Sequence, residues 1–476
     1  MKFKDLGLEE AILHALDKLH YEEVLPVQEK VIPELLKDVD CIVQSRTGSG
    51  KTASFAIPIV EKMIWDERDP QAIVLTPTRE LALQIKEDFD NIGAYRRLKT
   101  VAVFGKQPYR FQIQDLKQRC HIVVGTPGRV LDHLHRGTLK VEKIRYVVLD
   151  EADEMLNMGF IDSVREIFSY LPKKRTTCLF SATMPEPIQQ LATGFMQDAK
   201  LITLNQETDV NQAITHYAYE VKEKEKLAFL KKLICKEQPE SCIIFARTQE
   251  GVKTITDALY DMNLCVDKLH GGMLQEDRME NIDDFKHGKV RILVATDVAA
   301  RGIDVQDITH IINYDMPNQK ENYLHRIGRT GRKSASGVAI TFLNEYDGAR
   351  REELETYLGY PLEVYDRKEI DAYEIKQEDM DALSKPFAIR EDKGKEIHKD
   401  MMKLYMNGGK NKKIRAGDIV GAICEIEGVC GDDIGVINIQ DHQSYVDILH
   451  GKGNLVLKAL QKKTIKGKKL RIQKAK

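Results

Sequence analysis

The sequence predicts two α/β domains with parallel sheets in tandem, followed by a small α+β domain. Three observations support this fold class. The chain has 476 residues, which is too long for one domain when about 150 residues is usual. Apolar, strand-like runs alternate with helical patterns in two successive sets, as in parallel sheets covered by helices. A different order of elements begins at Met401.

The first set of strands occupies residues 1–205 and the second set residues 206–360, with a boundary near the polar stretch 205–211. The first set is expected to contain the strands Ala72–Leu75, Val101–Phe104, Ile122–Val124, Tyr146–Leu149 and Thr177–Phe180. The second set is expected to contain the strands Cys242–Phe245, Val266–Leu269, Ile292–Ala295, His310–Asn313 and Val338–Phe342.

Residues 361–400 are charged and poor in large apolar side chains, which predicts a tether or a frayed helical extension. Residues 401–476 then follow the order β-α-β-β-α-β. This order is the ferredoxin-like arrangement, which RNA-recognition domains use. Its expected elements are strand Lys403–Met406, helix Asp418–Ile426, strands Ile434–Ile439 and Tyr445–Leu449, helix Leu455–Gln461 and strand Lys469–Ile472.

Charge is distributed unevenly, although the formal net charge of the whole chain is only −2. Residues 401–476 contain 15 basic and 7 acidic side chains, so this segment is positive and the rest of the chain is acidic. A basic terminal module indicates a polyanionic partner. A solvated, lysine-rich terminus without a partner is the alternative.

The 8 cysteines include no Cys-x-x-Cys pair, and Cys41, Cys178 and Cys242 lie in strand-like apolar runs. This pattern favours reduced, buried thiols over disulfides or zinc ligands, and therefore a cytoplasmic protein. No signal peptide opens the sequence and no stretch approaches the length of a membrane span, so no membrane partner is expected.

A phosphate-binding loop is predicted between the apolar run Cys41-Ile42-Val43 and a helical run that begins near Ala53. Small residues let backbone N–H groups surround phosphate oxygens at a helix N-terminus, whose dipole favours anions. Lys51 is expected to reach the terminal phosphates, and the Thr52 hydroxyl to reach Mg²⁺. Ser45 stands where the pattern has its first glycine, and an ordinary turn into a helix is the alternative for this segment alone. The loop consists of Ser45, Arg46, Thr47, Gly48, Ser49, Gly50, Lys51 and Thr52.

An acid run, Asp150-Glu151-Ala152-Asp153, follows the strand-like run Tyr146–Leu149. This position places Asp150 to hold Mg²⁺, largely through water, and Glu151 to orient an attacking water. The loop and the acid run occur in the order and context that their chemistry requires. Together they predict hydrolysis of a nucleoside triphosphate, with Lys51, Asp150 and Glu151 in catalytic roles.

Further motifs follow in a fixed order. The first domain carries Pro77-Thr78-Arg79-Glu80-Leu81-Ala82, Thr126-Pro127-Gly128-Arg129 and Ser181-Ala182-Thr183. The second carries Asp297-Val298-Ala299-Ala300-Arg301-Gly302-Ile303-Asp304 and His325-Arg326-Ile327-Gly328-Arg329-Thr330-Gly331-Arg332. This set resembles the DEAD-box family of ATP-dependent RNA helicases, from residue 3 to about residue 345. The resemblance implies two RecA-like domains that bind ATP and single-stranded RNA in the cleft between them.

Two arginines three residues apart, Arg329 and Arg332, suit a phosphate clamp supplied by the facing domain. Such arginines stabilise the charge on a transferring phosphoryl group. A solvated basic loop is the alternative. The resemblance also assigns Asp304 to the ribose and His325 to the link between the domains.

The resemblance makes Ser181 and Thr183 a relay between the ATP and RNA sites, through contact with the acid run that ends at Asp153. RNA contacts are expected from loops at strand ends, where glycines admit the backbone of RNA and arginines and hydroxyls bind its phosphates without reading sequence. These core RNA contacts are Pro77, Thr78, Arg79, Gly105, Thr126, Pro127, Gly128, Arg129, Arg247, Gly271, Gly272, Gln275, Arg278, Thr296 and Asp297.

The N-terminal segment resembles the part of the family that reads adenine. Phe3, Tyr21 and Gln28 fit that pattern, whereas Leu25 replaces its threonine and His20 its glycine. The amide of Gln28 can pair with the donor and acceptor edge of adenine, which favours ATP over other triphosphates.

Four other basic residues lie near these motifs. Lys106 follows Gly105 where the family usually has a second glycine, which leaves one RNA contact open. Arg96, Arg97 and Arg110 are expected to be solvated surface residues.

The segment Leu404–Gly409 resembles the first-strand motif of RNA-recognition domains, but the third-strand motif, Ser444–Asp447, contains a single aromatic residue. Basic runs are therefore expected to grip a folded RNA by its phosphates. A DEAD-box core with this tail resembles the bacterial DbpA/YxiN group, whose tail binds a hairpin of 23S ribosomal RNA during assembly of the large subunit. Pre-50S particles are then the expected partner of a monomeric protein. The expected tail contacts are Tyr405, Lys410, Lys412, Lys413, Arg415, Lys466, Lys468 and Lys469.

Two alternatives remain open from the sequence. The first is an ATP-gated RNA clamp in which hydrolysis only times release, and the intact Ser181-Ala182-Thr183 and Arg329 and Arg332 favour strand separation over it. The second is a DNA helicase of similar fold, which the acid run and the tail disfavour.

Overall fold

The computed structural model describes residues 1–45, 49–204, 214–300, 308–331, 337–387 and 394–475. These residues divide into two compact units. The first unit contains the described residues up to 204 together with residues 394–475. The second unit contains the described residues from 214 to 387.

A parallel sheet of seven strands forms the centre of the first domain, with the strand order β3-β4-β2-β5-β6-β1-β7. Alternate residues of its strands enter two apolar clusters, one on each face, as in a sheet covered by helices on both sides. The strands are β1 (Cys41–Gln44), β2 (Ala72–Leu75), β3 (Thr100–Val103), β4 (Ile122–Gly125), β5 (Tyr146–Leu149), β6 (Thr176–Ser181) and β7 (Lys200–Thr203).

Helices connect the consecutive strands of the first domain, as parallel strands require crossover connections. The helices of this domain are α1 (Glu10–Lys18), α2 (Pro26–Leu36), α3 (Lys51–Lys62), α4 (Arg79–Ile92), α5 (Tyr109–Leu116), α6 (Pro127–His135), α7 (Ala152–Asn157), α8 (Ile161–Tyr170) and α9 (Glu186–Phe195).

The second domain contains a parallel sheet of six strands in the order β10-β11-β9-β12-β13-β8. Its strands are β8 (Ile214–Glu220), β9 (Cys242–Phe245), β10 (Val266–Leu269), β11 (Ile292–Ala295), β12 (His310–Asn313) and β13 (Gly337–Leu343). Its helices are α10 (Lys226–Glu237), α11 (Gln249–Tyr260), α12 (Gln275–Lys286), α13 (Asp297–Ala300), α14 (Lys320–Ile327) and α15 (Gly348–Leu358).

The described part of residues 361–400 contains packed helices, which agrees with the expected helical extension and not with the alternative of a tether. Helices α16 (Lys368–Asp371) and α17 (Gln377–Leu383) bury Ile370 and Leu383 in an apolar cluster of the second domain. The Leu383 carbonyl also accepts a hydrogen bond from the Cys265 N–H at 3.0 Å. A few well-spaced apolar residues are sufficient to dock a charged segment, and average composition conceals them.

Residues 402–474 form an antiparallel sheet with the strand order β15-β16-β14-β17 and two helices. This arrangement confirms the predicted ferredoxin-like order. Its elements, which together we call the C-terminal module, are β14 (Met402–Met406), α19 (Ala416–Cys424), β15 (Ile434–Ile439), β16 (Ser444–Ile448), α20 (Gly453–Leu460) and β17 (Ile472–Lys474). Helix α18 (Lys395–Asp400) directly precedes them.

The predicted fold class is confirmed, although the edge strands β7 and β8 were not predicted. All eight thiols are free, and five of them are buried, including Cys41, Cys178 and Cys242. Among the described residues, none of the helices combines the length and the apolar composition needed to cross a membrane.

Candidate functional site

The predicted nucleotide residues of the first domain meet at the carboxyl edge of its sheet. Ser45 follows β1, Asp150 follows β5, and Ser181 ends β6. The Ser45 N–H donates to the Ser181 carbonyl at 3.1 Å, and the Asp150 N–H donates to the Leu75 carbonyl at 2.9 Å. The carboxyl ends of parallel strands are where open α/β sheets bind ligands. The fold therefore brings these motifs together from distant parts of the chain.

The described part of the phosphate loop is tightly packed. Gly50 has a φ of +87°, and a Cβ atom there would lie 2.6 Å from Leu25 Cδ1 and 2.8 Å from Gln28 Nε2. Only glycine fits this position. Lys51 is buried at the start of α3, and its Nζ donates to the Ser45 carbonyl at 3.3 Å. Arg46, Thr47 and Gly48 lie outside the described residues.

The acid run combines a buried carboxylate with a strained backbone. Burial raises the pKa of Asp150, while the nearby Lys51 charge lowers it. Glu151 has a φ of +53°, which is uncommon for a residue with a side chain. Carboxylate and hydroxyl oxygens are the donors that Mg²⁺ prefers, and one or two carboxylates with substrate phosphates suffice to bind it. Asp150 and Thr52 therefore fit a magnesium ion held together with a triphosphate.

Asp153 is a hydrogen-bonding hub between the acid run and the Ser181-Ala182-Thr183 segment. Its Oδ2 accepts the Thr183 N–H at 2.9 Å, the Thr183 Oγ1–H at 3.0 Å and the Ala182 N–H at 3.1 Å. The Asp153 N–H donates to Ser181 Oγ at 3.2 Å. These four hydrogen bonds join the acid run to the end of β6.

The side chain of Gln28 joins α2 to the phosphate loop. Its Oε1 accepts the Leu25 N–H at 2.9 Å, and its Nε2 donates to the Gly50 carbonyl at 3.3 Å. An amide has two lone pairs on oxygen and two hydrogens on nitrogen, so one acceptor and one donor remain for a base. Phe3 is buried, and its ring centroid lies 6.1 Å from that of Tyr21.

Two of the three positions at which the chain lacks a family glycine keep the backbone conformation that glycine favours. His20 has a φ of +56° and Lys106 a φ of +59°. For a residue with a Cβ this conformation costs roughly 1–2 kcal/mol. At His20 and Lys106 the chain therefore carries a different side chain but keeps the backbone conformation of the turn.

The RNA loops predicted in the first domain also lie at strand ends. Thr78 caps α4 by accepting the Leu81 N–H at 3.3 Å. The Arg79 guanidinium lies beside Gly105, with Nη2 3.7 Å from the position that a Cβ would occupy. Pro127 and Gly128 begin α6, after Thr126. Apart from its own helix backbone and chain neighbours, no atom of the described residues lies within 4 Å of the position that a Cβ would occupy at Gly128.

Arg129 is tied to its own domain by a buried network that the sequence did not indicate. Its Nη1 donates to the Gln107 carbonyl at 2.9 Å and to Gln112 Oε1 at 3.1 Å. His133 Nε2 shares that Gln112 oxygen at 3.0 Å. Burial, assisted by the charge of Arg129, lowers the pKa of His133 to about 4. This network fixes the loop around Gln107, which lies close to Gly105 in the chain.

The prediction that Arg96 and Arg97 are solvated is wrong. The Arg96 guanidinium donates to the carbonyls of Val60 and Glu61 in the last turn of α3, both at 2.6 Å, and the Val60 carbonyl also accepts the Met63 N–H at 3.3 Å. Arg97 pairs with Asp432 at 2.9 Å. Arg110 stacks on the neighbouring Phe111 ring at 4.6 Å.

The predicted RNA residues of the second domain follow its strands in the same way. Arg247 is exposed after β9, and its N–H donates to Asp315 Oδ2 at 2.9 Å. Gly271 and Gly272 are exposed after β10, while Thr296 follows β11. Gln275 starts α12, and Arg278 on that helix donates to the Ala299 carbonyl at 2.9 Å.

Arg326, to which the sequence assigned no role, organises this edge. It is buried and pairs with both oxygens of Asp297, at 2.5 and 2.7 Å. It also donates to the Asp315 carbonyl at 2.8 Å, and the Asp315 carboxylate accepts the buried Lys226 Nζ at 2.9 Å. The position of Arg326 between His325 and Arg329 was the only signal available in the sequence.

Two residues predicted for the second domain, Asp304 and Arg332, lie outside the described residues. His325 and Arg329 are half-buried, on α14 and just after it. The Arg329 carbonyl accepts the Ile308 N–H at 3.3 Å.

In the C-terminal module the two basic runs converge on one edge. Lys466 Nζ donates to the Lys413 carbonyl at 2.8 Å, and Lys468 Nζ donates to the Lys412 carbonyl at 2.6 Å. On the open face of the sheet, Tyr405 and Tyr445 pair across β14 and β16 with ring centroids 5.7 Å apart. We call the exposed or half-exposed cations of the two basic runs the basic edge. They are Lys410, Lys412, Lys413, Arg415, Lys466, Lys468 and Lys469.

This combination of two RecA-like sheets, a phosphate loop, an acid run and a basic terminal module defines the class of protein. The chain belongs to the DEAD-box family of ATP-dependent RNA helicases. Family models match a DEAD/DEAH box helicase domain at residues 25–191 and a helicase conserved C-terminal domain at residues 225–334. A third model, the DbpA RNA binding domain, matches residues 403–474.

Individual relatives agree with this assignment. The ATP-dependent RNA helicase DbpA of Bacillus subtilis is 49% identical over 474 residues, which cover 99% of both chains. The DEAD-box ATP-dependent RNA helicase CshA of Geobacillus kaustophilus is 45% identical over 72% of this chain and 73% of its own. The structure of S. cerevisiae Dbp5 bound to RNA and ADP BeF3 has a TM-score of 0.71 at 30% identity, covering 81% of this chain and all of the other. The protein is therefore an ATP-dependent RNA helicase of the DbpA type.

Proposed function

We propose that this helicase separates short RNA duplexes locally and that its C-terminal module directs it to 23S ribosomal RNA during assembly of the large ribosomal subunit. The observation that carries the proposal is the convergence of two basic runs into one edge of a domain that matches the DbpA RNA binding domain. The loops of the core suit backbone contacts, which are blind to sequence. A choice among RNAs therefore requires a second surface, and the basic edge supplies one.

In the ATP site, we assign Lys51 to the terminal phosphates, and Asp150 and Thr52 to Mg²⁺. When bound, the magnesium ion neutralises the charge that develops on the phosphates. Glu151 orients the attacking water from its constrained backbone position, and Gln28 selects adenine. Arg329 and Arg332 contact the transferring phosphate, while Asp304 binds the ribose.

We assign the coupling of ATP hydrolysis to RNA binding to Asp153, Ser181 and Thr183. Their hydrogen bonds join Asp153, two residues after Glu151, to the end of the neighbouring strand β6. His325 serves the coupling between the domains. We also propose that the protein acts as a monomer in the cytoplasm.

Strand separation is tested with a short labelled duplex that flanks a 23S ribosomal RNA hairpin. We expect ATP and Mg²⁺ to release the labelled strand, and Glu151→Gln to abolish turnover while ATP and RNA remain bound. Glu142→Gln, at another acidic position of the same domain, is the matched control and should behave as the parent protein. If ATP changes RNA affinity but no strand is released, the protein is an ATP-gated clamp. If DNA stimulates hydrolysis as well as RNA does, the assignment to RNA fails.

A further inference from the structure

Helix α18, with the residues on either side of it, connects the C-terminal module to the first RecA-like domain inside one compact unit. We define residues 394–401 as the clasp. Ile397 in the clasp is fully buried and belongs to the apolar cluster of the first domain, against which Met401 also packs. An aliphatic side chain removed completely from water is a strong anchor, because burial of apolar surface is the main favourable term in association.

Polar contacts fix the orientation of this anchor. Tyr95 Oη donates to Asp400 Oδ2 at 2.7 Å, and the Asp400 carbonyl accepts the Gly451 N–H at 2.8 Å. The Tyr95 ring also stacks on His450 of the module, with centroids 5.8 Å apart and planes at 19°. Tyr95 therefore contacts the clasp and the module at the same time. At the rim, Arg97 reaches Asp432 of the module at 2.9 Å.

Next to these contacts, the open face of the module's sheet and the first domain enclose a cleft of about 560 Å³. Phe104 and Gln107 line one wall, while Gln440 and Tyr445 line the other. The Gln440 carbonyl accepts the N–H of Lys410, in the basic edge, at 2.9 Å. Gln440 therefore joins the basic edge to the wall of the cleft that faces Phe104 and Gln107 of the first domain.

We propose that the clasp docks the C-terminal module on the first RecA-like domain, so that RNA captured by the basic edge is presented directly to the loop at residues 104–107. The interaction surface is formed by Tyr95 and Arg97 with the apolar pocket around Ile397, and its partner is the module of the same chain. A docked module holds captured RNA at a fixed position relative to the core. A module on a flexible linker only raises the local concentration of RNA near the core. This inference rests on the proposed function only in assigning RNA capture to the basic edge.

Docking itself is tested by hydrogen exchange of the full-length protein. In the unaltered chain, backbone amides of the clasp and of residues 94–98 should be protected. Ile397→Asp should raise exchange at both places, while amides of β2 and of β16 keep their protection because both domains stay folded. Tyr95→Phe, which removes only the bond to Asp400, should produce a smaller change of the same kind. Lys399→Ala, an exposed position on the same helix, should change nothing.

The consequence of docking is tested by RNA-stimulated ATP hydrolysis in the same variants. For 23S ribosomal RNA, the RNA concentration that gives half-maximal stimulation should rise on the order of tenfold in Ile397→Asp. For a uridine homopolymer, which we expect the core to bind without the module, the half-maximal concentration should be the same in Ile397→Asp and in the unaltered protein. Rapid exchange of the clasp in the unaltered protein would overturn docking. If Ile397→Asp loses protection of the clasp but keeps the half-maximal concentration of 23S ribosomal RNA, the proposal that docking presents RNA to the core is overturned. If the unaltered protein does not prefer 23S ribosomal RNA at all, the proposed function fails while the exchange result for docking stands.

Discussion

At the residue scale, the Gln28 amide holds the phosphate loop, and we propose that it also reads adenine. It holds the Gly50 carbonyl of the phosphate loop and leaves one donor and one acceptor for a base. The sequence suggested the contact with the base, because it resembles the family pattern. The contact with Gly50 needed the fold, which brings α2 beside the loop.

Gln28→Ala should remove most of the preference for ATP over GTP. A buried polar group without a partner costs about 1–3 kcal/mol, which corresponds to roughly 5- to 150-fold in kcat/KM. Because the Gly50 carbonyl also loses its hydrogen bond from Gln28 Nε2, the KM for ATP should rise as well. Steady-state kinetics with both nucleotides check this, with the exposed neighbour variant Glu29→Ala as the control. Equal kcat/KM values for ATP and GTP in the unaltered protein would contradict the assignment.

Thr183 offers a separate test of the relay. Thr183→Val removes the hydroxyl that donates to Asp153 at 3.0 Å and keeps the shape of the side chain. Hydrogen bonds to charged groups are worth about 1.5–3 kcal/mol, so we expect duplex separation to fall roughly tenfold or more. ATP hydrolysis at saturating RNA should change much less, because the catalytic residues remain. Thr193→Val, at an exposed position of α9, is the matched control. An equal loss of both activities would show that Thr183 serves hydrolysis itself.

At the element scale, α6 depends on a histidine that must stay neutral. His133 is fully buried between Thr138 and Gln112, with ring nitrogens 2.8 and 3.0 Å from their side chains. Its pKa is lowered from 6.5 to about 4. The unfolded chain therefore takes up this proton at a higher pH than the folded protein does. The stabilisation is complete above pH 6.5 and is lost as the pH falls towards 4.

The free energy of unfolding of the first domain should thus decrease between pH 7 and pH 4, with His133 contributing on the order of 3 kcal/mol. Urea titrations followed by the fluorescence of Trp65, the single tryptophan, report on this domain. His133→Gln should flatten the dependence on pH. His135→Gln changes an exposed histidine on the same helix and should leave the slope as it is. Identical slopes in all three proteins would contradict the role of His133.

The elements themselves were predictable where local sequence decides them. Central strands such as β5 and β11 are continuous apolar runs, because helices cover both faces of the sheet. Strand β7 was not predicted because it lies at the edge and buries only Ile202. The networks around Arg326 and Gln112 were not predicted either, since most of their partners lie on other helices and strands that only the fold brings close. Motif residues were easier to find because their spacing is local.

At the scale of the whole molecule, the order of three domains was predictable, whereas their attachment was not. Residues 361–400 look like a linker by composition, yet Leu383 packs in the second domain and Ile397 in the first. A fragment that ends at residue 375 would therefore lose α17. Residue 387 is the better boundary, because it keeps the packed helices and removes the clasp and the module.

The central claim is that the core supplies ATP-driven chemistry while the C-terminal module chooses the RNA. It is tested most directly by ATPase rates of the full chain and of residues 1–387, titrated with 23S ribosomal RNA and with an arbitrary RNA of equal length. We expect the full chain to respond to ribosomal RNA at a concentration at least tenfold lower. The truncated protein should reach a similar maximal rate with either RNA and show no preference. If residues 1–387 discriminate between the two RNAs as well as the full chain does, the module is not the element that selects RNA.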